Sequence, residues 1–316
     1  MNQYIDDPVA FSSEQQNNPI RPGTETLVAD EKTIRSRLNG LQRGVVPINA
    51  ELLTGFIDVH DDILYWCVTA WRENFTGYVI DYGTFPEQTK KYFRKSDRSL
   101  HIMSERFAGR KSAVIVQGVE WLSNFLIKKY WEVENDENAL MQIDRLLVDS
   151  RYLPKAIETA LTRVRSATIK PALGVGVGAK QNPLNEWPVR NGRFYGDYWF
   201  EDKPDRRGLR TVTADVNYWK CQVHDGLKME VGDEGSLSLW GLQPEVHRMF
   251  AEHCNAESVQ YVQAKRSANE WSTKNGGDNH LFDCMVGCMV AASHCGMKSK
   301  ESIVLNNTSR KAANLA

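Results

Sequence analysis

Three aspartates, Asp58, Asp149 and Asp283, stand where a carboxylate has little reason to be unless it does chemistry. Asp58 interrupts the apolar stretch FIDV, where strand alternation sets it beside core residues. Asp283 lies inside the apolar run HLFDCMVGCMVAA, and Asp149 closes RLLVDS. Taken alone, Asp149 serves equally well as a turn or capping residue ahead of Pro154. Carboxylates brought together repel one another and are costly without a cation. Two Mg²⁺ or Mn²⁺ ions ~3.5–4 Å apart would neutralise them and clamp the attacking water and the leaving oxygen of an in-line displacement. Hard oxygen ligands and open water positions suit these ions better than zinc. Asp58, Asp149 and Asp283 are therefore the candidate metal ligands and catalytic residues. His280, three residues before Asp283 on the same helix face, is a candidate further ligand or general base, or simply a helix N-terminal residue. Asp62 is a candidate ligand too, although Asp61 and Asp62 equally suit a turn between strands.

The surrounding elements must bring these acids together. LLTGFIDVHDDILYWCVTAW and GYVIDYGTF, with a turn at Asn74 to Gly77, read as three sequential strands in an antiparallel meander. SAVIVQGVEWLSNFLIKKYWEV carries apolar residues at helical spacing. After the acidic loop ENDENAL, RLLVDS is a strand, PKAIETALTRVR a helix opened by Pro154, and IKPALGVGV another strand. Residues 180–235 are rich in Pro, Gly, aromatics and charge and read as an irregular, β-rich insertion, with VNYWKCQV near its end as a strand. A helix (PEVHRMFAEHC), a strand (SVQYVQA), a polar turn (STKNGGDNH) and a last apolar helix follow. This order predicts an α/β, ribonuclease H-like mixed sheet: a three-strand antiparallel meander plus parallel strands, flanked by helices. In it the first and fourth strands are central neighbours, so Asp58 and Asp149 lie side by side and the final helix brings Asp283 over them. Residues 1–45 are expected to be a linker or arm with order beginning near Pro47, 46–297 one domain, and 298–316 a tail.

With 316 residues, 41% hydrophobic and 25% charged, the chain has an ordinary globular composition. Its formal charge of -1 provides no global basic field, so any nucleic-acid contact must be local. Six cysteines without paired C-x-x-C spacing argue for reduced thiols. No apolar run reaches the ~18 residues of a membrane span, and the polar N-terminus lacks a signal-peptide core.

Certain stretches also resemble a known family, the nuclease domain of bacteriophage terminase large subunits of the lambda type: LNGLQRGVVPINAELLTGFIDVHDDILYWCVTAW, LLVDSRY, IKPALGVG, VNYWKCQV and NEWSTKNGGDNHLFDCMVGCMVAA. Together they run from about residue 38 to 295. The resemblance implies a metal-dependent endonuclease that cuts double-stranded DNA during viral genome packaging, with metal ligands at Asp58, Asp149 and Asp283. It implies as partners an ATPase domain, a small terminase and a portal, and as location the cytoplasm of an infected or prophage-carrying bacterial host. Full-length members carry a translocating ATPase, whereas this sequence has no G-x-x-x-x-G-K-[ST]. The run GVGVGAK at residues 174–180 has the wrong spacing and reads as a close-packed turn. The chain therefore reads as the nuclease half alone, an excised fragment or a split product.

Candidate DNA contacts are the insertion's cations Arg190, Arg193, Lys203, Arg206, Arg207 and Arg210, together with Lys220 in VNYWK. The insertion's aromatics Trp187, Tyr195, Tyr198, Trp199 and Phe200 suit a satellite core better than base stacking, because duplex DNA offers no free base face. Two other readings stay open: a structure-selective nuclease of resolvase or transposase type, and a non-catalytic docking module of a packaging motor.

Overall fold

The structure is a computed structural model that describes residues 27–274 and 276–298. Residues 1–26 of the expected arm, and the expected tail beyond Lys298, lie outside the described residues. The rest of that arm belongs to the fold. Helix α1 (Glu31–Ser36) is capped by Asp30, whose carboxylate accepts the Thr33 N–H, and it buries Ile34 completely. The fold therefore begins well before Pro47: Ala29 is buried too, and Arg37 donates to the carbonyls of Leu227 and Lys228.

Strands β1 (Leu52–Val59), β2 (Leu64–Arg72) and β3 (Thr76–Phe85) form the expected antiparallel meander. A four-residue helix α2 (Met103–Arg106) precedes the long helix α3 (Lys111–Lys128). The acidic loop expected at ENDENAL is instead a hairpin of β4 (Trp131–Val133) and β5 (Asp136–Met141), turned at Asn135, which takes a left-handed φ of 58°. Strand β6 (Arg145–Asp149), helix α4 (Pro154–Val164) and strand β7 (Ile169–Val175) follow as read from the sequence.

The expected irregular insertion is more regular than its composition suggests. Its strands β8 (Phe194–Gly196), β9 (Trp199–Glu201) and β10 (Val212–Asp215) continue the main sheet, β10 pairing in parallel with β7. VNYWKCQV is not a strand but the start of helix α5 (Val216–Lys228), capped by the Asp215 side chain, which accepts the Asn217 N–H. Strand β11 (Leu237–Leu239), helix α6 (Arg248–Asn255), the hairpin β12 (Glu257–Gln263) with β13 (Ser267–Thr273), and helix α7 (His280–His294) complete the fold.

The nine-stranded sheet has the order β11-β3-β2-β1-β6-β7-β10-β9-β8, a mixed sheet of ribonuclease H-like topology with β1 and β6 parallel neighbours at its centre. Alternation divides its side chains between two cores. Leu53, Ile57 and Val59 of β1 face α3 and α4, whereas Phe56 joins the core under α7. By the same period of two, Asp58 falls on the α7 side. All six cysteines are free thiols, and no described helix is long and apolar enough to cross a membrane.

Helix α7 lies close against β1 because Gly287 has no side chain: a Cβ there would stand 1.8 Å from Phe56 Cδ2. Gly174 likewise faces Val216, where a Cβ would come within 2.6 Å of Cγ1, so the glycine run after β7 is the close-packed turn its spacing suggested. Gly287→Ala is expected to lower stability by about 1–3 kcal/mol, the usual cost of forcing extra volume into a packed core. Urea denaturation of the two proteins measures it.

Candidate metal centre

Asp58 and Asp149 each follow directly on a buried residue of their strand, Ile57 in β1 and Val148 in β6, which the register pairs with one another. Both carboxylates are thereby carried to the same end of the sheet, at the carboxyl ends of two parallel strands. Asp283 sits in the first turn of α7, where the helix dipole favours negative charge. All three line one cavity of about 370 Å³, together with His60, Arg151, Lys220, Glu257 and His280. The structure thus brings the three predicted acids and His280 together. Asp62 stays outside, exposed on the β1–β2 turn, its carbonyl accepting the Met103 N–H.

Asp58 is 6% exposed, and its Oδ2 accepts hydrogen bonds from His60 Nε2 (2.9 Å) and His280 Nδ1 (3.1 Å). Burial alone would raise its pKa, but the two imidazoles outweigh it and hold the carboxyl well below the ordinary carboxylate range. Asp149 has no such partners. Burial and then the charge of Asp58 push it up to about 6, against a weaker hydrogen bond from the Arg151 N–H. Asp283 is pushed up to about 7, first by burial and further by Asp58 and Glu257, while Lys220 pulls the other way. A third of the Asp283 side chain is exposed, on the wall of that cavity.

Several members of the site carry no sequence signal. His60 reads in the sequence as part of a turn, yet it pairs with Asp58 and its Nδ1 meets Lys95 Nζ at 3.0 Å. Glu257, at the start of β12, binds Lys220 Nζ through both oxygens (2.6 and 2.7 Å) and accepts from Asn279 Nδ2 at 2.6 Å. Lys220 reaches Asp283 Oδ1 at 3.4 Å, and Asn279 donates to Asp283 Oδ2 at 3.0 Å. Because Lys220 is buried on α5 and held by two carboxylates, it steadies the acids and is not offered to solvent as a backbone contact.

The oxygen and nitrogen donors fit a divalent cation. Ligand atoms of Asp58, His60 and His280 lie within 4.8 Å of one another, and Asp149 and Asp283 are acids that burial leaves without enough positive charge. His280 Nε2 is buried without a hydrogen-bond partner among the described residues, 3.7 Å from Asp278 Oδ1.

The insertion's cations do not gather here. Arg193 pairs with Asp202, Arg207 with Glu158, and Arg210 approaches Glu201. Arg206, Arg207 and Arg210 precede β10, and Arg193 precedes β8, which places them at the end of the sheet opposite the acids. Arg190, Lys203 and Arg206 are exposed. Three of the five aromatics form the expected satellite core: Phe200 packs with Val177 and Leu184, and Trp187 and Tyr195 lie against them. Trp199 instead belongs to the main core under α7, and Tyr198 stacks on Tyr218.

A ribonuclease H-like sheet that ends its two central parallel strands in acids, under an acid-bearing helix, is the frame of a nuclease. The sequence profile of the terminase large subunit gpA endonuclease domain matches residues 14–303, and the chain belongs to that family. No curated protein sequence matches it. Among solved structures it is similar to a mutant nuclease domain of the large terminase subunit gp2 of bacterial virus Sf6 with manganese and β-thujaplicinol, at 12% identity and TM-score 0.46, over 83% of this chain and 97% of that one. The same mutant domain with manganese alone gives 12% identity and TM-score 0.45, over 83% and 98% of the two chains.

The raised pKa of Asp149 has a signed consequence for the metal-free protein. A folded-state value of about 6, above the ordinary 3.8, stabilises the fold below the lower figure and loses that contribution as pH rises through the upper one. Asp149→Asn is therefore expected to stabilise the chelator-treated protein at pH 8 by ~1–2 kcal/mol, and to make almost no difference at about pH 3, below both values. Urea titrations at the two pH values check both sign and window.

Proposed function

We propose that this chain is a two-metal-ion endonuclease that hydrolyses phosphodiester bonds of double-stranded DNA in viral genome packaging, with Asp58, Asp149 and Asp283 as its ligands. The observation that supports it best is the convergence of three acids on one cavity, Asp58 buried and Asp149 and Asp283 half-buried, the latter two displaced toward neutrality first by desolvation and further by the charge of Asp58. Mg²⁺ or Mn²⁺ bound there would supply Lewis-acid polarisation of the phosphate and a more acidic attacking water. The cytoplasm of an infected or prophage-carrying bacterium is the setting for such a reaction, with an ATPase domain, small terminase and portal as the packaging partners.

The protein's own groups have separable tasks. A carboxylate can only accept, so His280 donates to Asp58 from Nδ1–H and its Nε2 is left with a lone pair. That nitrogen lies 3.7 Å from Asp278 Oδ1, so the ring is held between two carboxylates beside the acid cluster. His60, just past the same end of β1, fixes the same Asp58 oxygen, leaving Oδ1 free of side-chain hydrogen bonds among the described residues. Lys220 and Asn279 hold the Asp283 carboxylate against Glu257, which keeps the third acid in place at the helix start.

Asp58→Ala and Asp283→Ala are each expected to reduce Mn²⁺-dependent plasmid cleavage at least a hundredfold, on the order of the loss of a principal charge-stabilising group. Circular dichroism should show the fold retained, and the rise in unfolding temperature that Mn²⁺ gives the wild type should shrink. Undiminished cutting by both variants would overturn the assignment of the acids, and a wild type that does not cut at all would leave the docking-module reading instead.

A further inference from the structure

One stretch of concentrated charge touches the site just described only through Lys95. β3 runs parallel to β1, since each is antiparallel to β2, so the chain leaving Phe85 emerges at the end of the sheet that carries the acids. Residues 86–111, which follow, contain Lys90, Lys91, Arg94, Lys95, Arg98, Arg106, Arg110 and Lys111 against Glu87, Asp97 and Glu105. Five net positive charges thus sit in one connection of a chain whose total is -1.

The connection is seated on the site itself. Phe93 is buried beside Tyr65, with ring centroids 6.4 Å apart, and Tyr92 Oη donates to Glu252 at 2.7 Å. The Lys95 N–H donates to Asp278 Oδ2 at 2.7 Å, and its ammonium meets His60 Nδ1 at 3.0 Å. Further along, Lys111 pairs with Asp61 on the turn after β1. The apolar and backbone groups thus face inward, while Lys90, Lys91, Arg94, Lys95 and Arg98 are exposed. Apart from Lys111 with Asp61 and His101 with Glu105, the segment makes no ion pair among the described residues. Arg193, Arg207 and Arg210 of the insertion, by contrast, are taken up by acids at the far end of the sheet.

A cavity walled by carboxylates repels a polyanion, so cations at its rim must hold the substrate. Duplex DNA presents a charge every ~1.7 Å of its axis, and a row of unpaired lysines and arginines meets it without reading sequence. We propose that residues 86–111 are the cradle for the phosphate backbone of duplex DNA at the mouth of the acid cluster. The proposal rests on the nuclease reading and adds to it where the substrate lies.

The test uses the full chain, a fluorescently labelled blunt duplex, and Ca²⁺ in place of Mn²⁺ so that binding is read without cutting. The quadruple variant K90A/K91A/R94A/R98A is compared with the insertion variant R190A/K203A/R206A, with unfolding temperatures confirming that both fold. The first is expected to bind on the order of ten- to a hundredfold more weakly, with a salt slope shallower by about 0.9 for each phosphate that is no longer neutralised. The second should match the wild type. Wild-type affinity and slope in the quadruple variant would overturn the cradle, as would a weakening confined to the insertion variant. Cleavage in Mn²⁺ separates the two readings. If the wild type binds through the segment but never cuts, the cradle stands and the nuclease reading fails. If both proteins cut and bind alike, the reverse holds.

Discussion

Helix α7 can rest on strand β1 only because Gly287 leaves room for the ring of Phe56. That contact sets the height of the helix above the sheet, and Asp283 lies about one turn before it, so the same contact sets how near the third acid comes to the other two. A buried chain of hydrogen bonds locks the approach: Trp71 Nε1 donates to Thr54 Oγ1 at 2.7 Å, and Thr54 Oγ1 donates to the Cys288 carbonyl at 2.9 Å. Two strands and the helix are thereby fixed in register, and the apolar residues around them supply the free energy that forces like charges together.

The electrostatic arrangement follows from that compression. Asp58 is satisfied by two imidazoles, whereas Asp149 and Asp283 are buried with less help and resist ionisation. Lys220 compensates in part, and burial of an ammonium is tolerable because Glu257 binds it through both oxygens. Asn279 ties the same glutamate to Asp283, so one network spanning α5, β12 and α7 holds the acid nearest the helix start.

Much of this was legible in the chain. The meander showed itself because β1 to β3 are dense in branched and aromatic residues between turn signals, and Asp58 and Asp283 because a carboxylate among core residues breaks an apolar pattern. VNYWKCQV misled because its aromatic and branched residues favour strands, while the feature that decided for helix was the Asp215 cap just before it. Strands β9 and β10 escaped notice among prolines, glycines and charges, since short strands of three or four residues carry almost no period. Glu257 and His60 were invisible for a different reason. Glu257 owes its role to Lys220, thirty-seven residues away, and His60 to an acid two positions back whose orientation only the sheet determines.

Of the residues of α7, only Asp283 and His294 are not buried, one near each end. A helix so enclosed cannot fray at its working end, and a shift along its axis must be shared by its whole length, as by a piston in a sleeve. His294 at the far end grips Glu201 of β9 at 2.6 Å, and Glu201 is also held by Lys170 of β7. With eleven residues at ~1.5 Å of rise each, the outer strands of the sheet are mechanically joined to the carboxylate over the cavity across roughly 16 Å. The elaborated edge of the sheet, remote from the chemistry, is thus where the position of Asp283 is braced.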